Sequence, residues 1–113
     1  MVNGVPASGK SAVARALADA TGWPILTLDT IKNPFLTALP PGDRLFNRTL
    51  GRASYEAIFD LIADAPAGCT FIVDAWFGFQ PLEVLEQGLD RAGATDLAEI
   101  WCHAPPTLIG QRY

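Results

Sequence analysis

Residues 4 to 11 read GVPASGKS: Gly4, four residues, then Gly9, Lys10 and Ser11. This is the Walker A spacing, by which a chain wraps phosphate. In such a loop consecutive backbone N–H groups point inward and the helix that follows adds its positive dipole end, so main chain does most of the holding. Gly4 and Gly9 permit the turns and the close approach. Lys10 supplies a point charge for the β and γ phosphates, and the Ser11 hydroxyl is placed to ligate the Mg²⁺ that bridges them. Pro6 has no N–H, so the donors run from Ala7 through Ser8 and Gly9. The plain alternative is a helix start with a glycine-rich approach, which does not explain why Lys10 and Ser11 follow in that order.

The motif carries meaning only between a strand and a helix. Met1, Val2 and Asn3 read as the end of a strand, and Lys10 to Thr21 carries Val13 and Leu17 at helical spacing among alanines, stopped by Gly22. Ile25 to Leu28 is a short apolar run ending on Asp29, a second strand. Asn33, Pro34, Pro40, Pro41 and Gly42 then predict turn and loop rather than a long helix. Thr49 to Asp64 is an amphipathic helix, with Leu50, Ala57, Ile58, Leu61 and Ile62 on one face. Cys69 to Val73 is nearly continuous apolar sequence ending on Asp74, as in a strand covered on both faces. Pro81 opens a helix holding Leu82, Leu85 and Leu89, which Gly93 closes. Leu97 to Cys102 reads as a last strand, before Pro105, Pro106 and the start of another helix. Strands alternating with helices predict an α/β layered fold with a parallel sheet, and GVPASGKS lies in its first strand-to-helix turn.

Bulk properties bound the rest. The chain has 113 residues, half of them hydrophobic, with a net charge of −4, enough for one domain with a real core. The acidic balance gives no general attraction to nucleic acid or to an anionic membrane. No apolar run approaches the ~20 residues of a membrane span, and no secretory leader is recognisable, so a soluble cytoplasmic protein is expected. Cys69 and Cys102 sit in apolar runs and are expected to be buried and reduced. His103 and two distant cysteines have no recognisable metal-ligand spacing. Trp23, Trp101, Tyr55 and Phe59 read as packing residues.

The chain resembles the P-loop small-molecule kinases, particularly those similar to zeta toxins, chloramphenicol phosphotransferases and gluconate-type kinases. The resemblance rests on GVPASGKS, on LTLDTIK at the end of the second strand, on RASYEAIFDLIADAPAGCTFIVDAWF around the third, and on WCHAPPTLIGQRY after the fourth. It spans nearly the whole chain and implies a P-loop three-layer sandwich with strand order 2-3-1-4-5. The third strand then borders the phosphate-loop strand, and the second lies one place further out. With strands ~4.8 Å apart, Asp74 would stand beside the Mg²⁺ and γ phosphate and Asp29 ~10 Å to the side, where an acceptor hydroxyl would wait. Both lie outside the carboxyl ends of the strands, where open α/β sheets bind ligands.

On this resemblance Asp29 is the candidate general base for the acceptor hydroxyl and Asp74 the group that holds Mg²⁺ through water, although the two roles can be exchanged. Asp29 could also cap a helix starting at DTIK, and Asp74 could be a turn residue. Lys32 and Arg52 could hold an anionic or polyhydroxy acceptor, with solvated surface the plainer reading. Trp76, Phe77 and Phe79 could wall a pocket or fill the core. Arg112 falls where the resembled kinases carry the first of the lid arginines that close over the phosphates. The chain departs from the pattern in having little strand ahead of the motif and no fifth strand, so it is expected to be a single P-loop domain, residues 1–113, truncated at both ends. The implied activity is transfer of the γ-phosphoryl of Mg·ATP to a hydroxyl of a small molecule. The alternative is a nucleotide-binding or regulatory ATPase module without kinase activity, and a polynucleotide end or nucleotide sugar is a further acceptor class.

Overall fold

The computed structural model describes residues 1–4, 8–76 and 81–103. In chain order the elements are β1 (Val2–Asn3), α1 (Lys10–Thr21), β2 (Ile25–Thr27), α2 (Leu28–Ala38), α3 (Arg44–Asp64), β3 (Ile72–Asp74), α4 (Leu82–Ala92) and β4 (Ile100–Trp101). The four strands form one parallel sheet in the order β2-β3-β1-β4. Val2 is in register with Asp74 on one side and with Ile100 on the other, and Thr27 is in register with Asp74 across β2 and β3. The α/β layering is that expected from the sequence, and the strand order is that implied by the resemblance.

Alternation along the strands builds two cores. Val2, Ile72 and Cys102 face α1, where Ala14 is fully buried and Val13, Leu17 and Ala18 pack around it. The opposite face receives Tyr55 and Phe59 of α3 with Leu85, Leu89 and Ala92 of α4, packed on Ala75, Val73 and Leu28. On β3, Ile72 therefore points to one layer and Val73 to the other, as a two-residue side-chain period requires. The result is a three-layer sandwich.

Helix α1 has the predicted bounds, ended by Gly22 in the left-handed conformation with its N–H on the Ala18 carbonyl. Helix α4 likewise runs from Pro81 to a left-handed Gly93.

Several expectations are corrected. Residues 28–38 form a helix, not a loop, with Pro34 inside it. Pro34 deprives Thr30 of one backbone donor, but Thr27 caps the start by accepting the Thr30 N–H at 3.0 Å, and Leu28 anchors the first turn in the core. Helix α3 starts at Arg44, five residues before the predicted Thr49, because the Asp43 carboxylate accepts the Phe46 N–H at 2.8 Å as an N-cap. Pairing in β3 begins only at Ile72, whose N–H reaches the Pro24 carbonyl, and Cys69 is left exposed in the turn before it. Only Cys102 is a buried thiol. Strand β4 is shorter than Leu97–Cys102, and Trp101 and Trp23 are 55% and 45% exposed rather than packed. Tyr55 and Phe59 are buried as expected. Among the described residues, no helix is long and apolar enough to cross a membrane.

Candidate functional site

The site lies where β1 and β3 end and α1 begins. Gly4 leaves β1 with φ +155°, and a Cβ there would stand 2.6 Å from Ser8 Oγ and 2.7 Å from the Cys102 carbonyl oxygen. Only glycine fits so tight a crossing, whatever the space costs in backbone entropy. Gly9 is the N-cap of α1 in the left-handed conformation (φ 92°), and it offers no side-chain acceptor. The first intrahelical bond is from the Val13 N–H to the Gly9 carbonyl, 3.2 Å, so the N–H groups of Lys10, Ser11 and Ala12 have no intrahelical acceptor. The first turn also holds no acidic residue to offset the dipole. An uncapped positive helix end at the mouth of a glycine turn is suited to an anion.

Lys10 Nζ stands 3.8 Å from Asp74 Oδ1, close enough for Coulomb attraction and too far for a hydrogen bond. Asp74 is 6% exposed, at the end of β3, next to β1 as the strand order demands. Among the described residues, its Oδ1 and the buried Ser8 Oγ have no hydrogen-bond partner. Buried polar atoms without partners are rare because they forfeit solvation, and two of them facing one loop mark a place prepared for a ligand. Ser11 is exposed in the first turn of α1. The donor chemistry fits a polyphosphate with a hard cation: main-chain N–H groups and Lys10 for phosphate, Ser11 and Asp74 oxygens for Mg²⁺.

Asp29 is in the first turn of α2, exposed, two residues beyond Thr27. The cap is Thr27, so Asp29 is not needed for that role. Its neighbour is Tyr55 of α3, whose phenol is pushed up first by burial and then by the negative charge of Asp29. The Tyr55 hydroxyl donates to the carbonyl oxygen of Trp76, two residues after Asp74. The two carboxylates thus lie at the same sheet edge, Asp74 as the last residue of β3 and Asp29 two residues past the end of the neighbouring β2.

Gly4, Ser8, Gly9, Lys10, Ser11 and Asp74 are brought together, and Asp29 sits at the adjoining strand end. Ala7 and Arg112 lie outside the described residues, as do Phe77 and Phe79. Trp76 is half-buried. Three further residues belong to the site and are not evident from the sequence. Asn3 accepts the Gly4 N–H on Oδ1 at 2.8 Å and donates from Nδ2 to Glu99 Oε1 at 3.2 Å, tying the loop's entry to the start of β4. Tyr55 reads as simple packing until its hydroxyl is placed. Cys102 lies under Gly4, its thiol pushed up by burial and by Asp74, with Lys10 opposing. A buried polar residue where a strand enters the loop is the one sign that could have pointed to Asn3.

No protein-family model and no curated protein matches the chain. A solved structure does: a protein of Chloroflexus aurantiacus J-10-fl called a "putative kinase", with a TM-score of 0.75 and 24% sequence identity. The match covers 98% of this chain and 62% of the other. The two share a fold. This chain thus spans less than two thirds of the length of the structure it matches.

Proposed function

We propose that the chain is the nucleotide-binding part of a P-loop kinase that moves the γ-phosphoryl of Mg·ATP to a hydroxyl of a small molecule. The observation that carries this reading is the uncapped start of α1, with Lys10 beside a buried Asp74 whose Oδ1 has no hydrogen-bond partner among the described residues. The shared fold with a protein called a kinase adds support of a weaker kind, since fold does not imply function.

In this reading the N–H groups of the loop and of the first turn of α1 hold the phosphates, Lys10 balances their charge, and Ser11 and Asp74 hold Mg²⁺. The ion, when bound, offsets charge on the phosphoryl oxygens. Asp29 orients the acceptor hydroxyl and takes its proton as the new P–O bond forms and the bond to the ADP oxygen breaks. Most of the acceleration comes from positioning and fixed charge, which need little covalent chemistry from the protein. Glycine at position 4, where a Cβ would stand 2.6 Å from Ser8 Oγ, lets the two ends of the loop lie close together.

The test is calorimetric titration of Mg·ATP into the chain and into Lys10→Ala, with circular dichroism to show that both are folded. Binding by the first and not the second supports the reading. A folded wild-type chain that takes up no Mg·ATP overturns it. ADP release that is independent of any acceptor and indifferent to Asp29→Asn supports instead an ATPase module.

A further inference from the structure

Helix α3 is 21 residues, about 31 Å at ~1.5 Å per residue, far longer than the three-residue strand it crosses. Its direction follows from its contacts. Tyr55 bonds to the Trp76 carbonyl just past the C-terminal end of β3, whereas Ile62 and Ala65 line an open cavity of about 580 Å³ at the other end, with Gly68 and Phe71. The helix therefore runs antiparallel to β3, and its first half, mostly exposed before the buried Ser54, extends past the sheet edge that holds Lys10, Asp74 and Asp29.

The stripe that buries Tyr55 and Phe59 continues into that projecting half. At ~100° per residue, Arg44, Arg48, Arg52, Tyr55 and Phe59 fall within about 80° of one another around the helix. The face that is aromatic against the sheet is thus cationic above it. All three arginines are exposed, and among the described residues none is in an ion pair. Arg52 has a carboxylate four residues on, Glu56, but that side chain pairs with Arg91 of α4, as does Asp60. Asp43 spends its carboxylate on the helix cap. On α2, which packs against α3, Lys32 lies one turn past the core residue Leu28 and is half-buried. Like charges four residues apart repel along a helix. Three of the eight lysines and arginines of a chain with net charge −4 are gathered on this one stripe, and Lys32 is on the helix that packs against it.

We propose that the acceptor is an anion, a small hydroxyl compound carrying a phosphate or carboxylate group, held by Arg48, Arg52 and Lys32 while its hydroxyl lies at Asp29. This rests on the kinase reading for the reaction, but the anion site itself does not. Guanidinium groups match phosphate and carboxylate oxygens in paired hydrogen bonds, so an anion here would relieve the repulsion and fix the acceptor's orientation. The hydroxyl and the charged group would be separated by roughly the rise from Tyr55, which neighbours Asp29, to Arg52 and Arg48, about 5–10 Å. That is the span of a three- to six-carbon compound.

Inorganic phosphate is the probe, titrated at low salt into the full chain, into Lys10→Ala, and into the double variant Arg48→Gln/Arg52→Gln. Both arginines are exposed, so the double variant is expected to fold as the parent does, which circular dichroism checks. Phosphate binding that survives Lys10→Ala and weakens roughly tenfold or more in the double variant is the expected result. Binding that vanishes with Lys10→Ala and is indifferent to the arginines, or no binding at all by a folded chain, overturns the proposal. Loss of Mg·ATP binding is read in a separate titration and bears on the kinase reading alone. Acceptor preference gives a second arm, with ADP release compared for ribose against ribose 5-phosphate and for glycerol against glycerol 3-phosphate. The phosphorylated member should be preferred, and the double variant should raise its KM while leaving that for Mg·ATP unchanged. Equal use of the neutral members, or tight binding of a single-stranded oligonucleotide through the arginines, counts against a small anionic acceptor.

Discussion

Lys10 and Asp74 form an ion pair without a hydrogen bond: Nζ stands 3.8 Å from Oδ1, and the side chains are 17% and 6% exposed. Burying two charges costs several kcal/mol each, and attraction at this distance repays only part of it. The pair is therefore a poor stabiliser and a prepared site. Removing either partner has opposite consequences. Asp74→Asn takes away the buried charge, so the chain should be as stable as the parent or more so, while Mg²⁺ ceases to strengthen nucleotide binding. Lys10→Met leaves the carboxylate buried and unpaired, which should cost about 1–3 kcal/mol at neutral pH. Urea denaturation of both variants, alongside nucleotide titration with and without Mg²⁺, reads both effects. An Asp74→Asn chain that is clearly less stable than the parent would contradict this account.

Asp29 is exposed in the first turn of α2 and is not its cap, so its loss touches little of the fold. Asp29→Asn should change stability by less than about 1 kcal/mol, the scale of one carboxylate at a helix start. Mg·ATP affinity should be unaffected. Acceptor phosphorylation should fall by roughly 10²–10⁴, the usual worth of a positioned base. Single-turnover kinetics on the two proteins separates these statements. Phosphoryl transfer at the parental rate would return the base role to Asp74.

Gly4 offers a sharper steric test. Alanine there must place its Cβ 2.6 Å from Ser8 Oγ and 2.7 Å from the Cys102 carbonyl, at a φ of +155°. The backbone oxygen cannot move aside without breaking the Cys102 N–H bond to Asn3 that pairs β4 with β1. The expected cost is about 2–3 kcal/mol with loss of nucleotide binding. Gly68→Ala is the control: its φ is +87° and its Cβ meets nothing within 4 Å, so only backbone strain of about 1 kcal/mol is expected. Equal melting temperatures for the two variants would show that the loop is not held as tightly as the crossing implies.

Local rules made some of this molecule legible. Helix α1 could be bounded because glycines stand on both sides of an alanine-rich segment, whereas the place of Asp74 beside the loop came from the strand order that the resemblance implies. The early start of α3 was not legible, because Pro40, Pro41 and Gly42 just before Asp43 read as turn. A helix starting near DTIK was open in the sequence, but its run to Ala38 was not legible, because Pro34 argues against it locally and Leu28, which anchors its first turn, packs on residues far along the chain. The apolar run from Cys69 promised a strand longer than its partner allows, since β2 pairs only with Ile72, Val73 and Asp74. The Asn3 bond to Glu99 joins residues 96 apart, and no pattern in a single sequence states such a contact.

The Tyr55 hydroxyl links α3 to the segment after Asp74, and its ionisation provides a probe of that link. The side chain is 1% exposed, and burial with the nearby charge of Asp29 pushes the phenol above its ordinary value of 10.0. A group whose pKa is higher folded than unfolded holds its proton in the native state while the unfolded chain loses it. Stability is then fully present below about pH 10 and falls as pH rises beyond it toward the folded value. Tyr55→Phe has no such proton. It should cost about 1 kcal/mol at pH 7 through the lost bond to the Trp76 carbonyl, yet show a shallower decline between pH 10 and 12. Urea denaturation across that range, with the tyrosinate absorbance followed in the folded protein, compares the two directly. Identical slopes would mean that Tyr55 ionises as readily in the folded chain as outside it, and that its hydroxyl does not fasten α3 to the strand end where both aspartates stand.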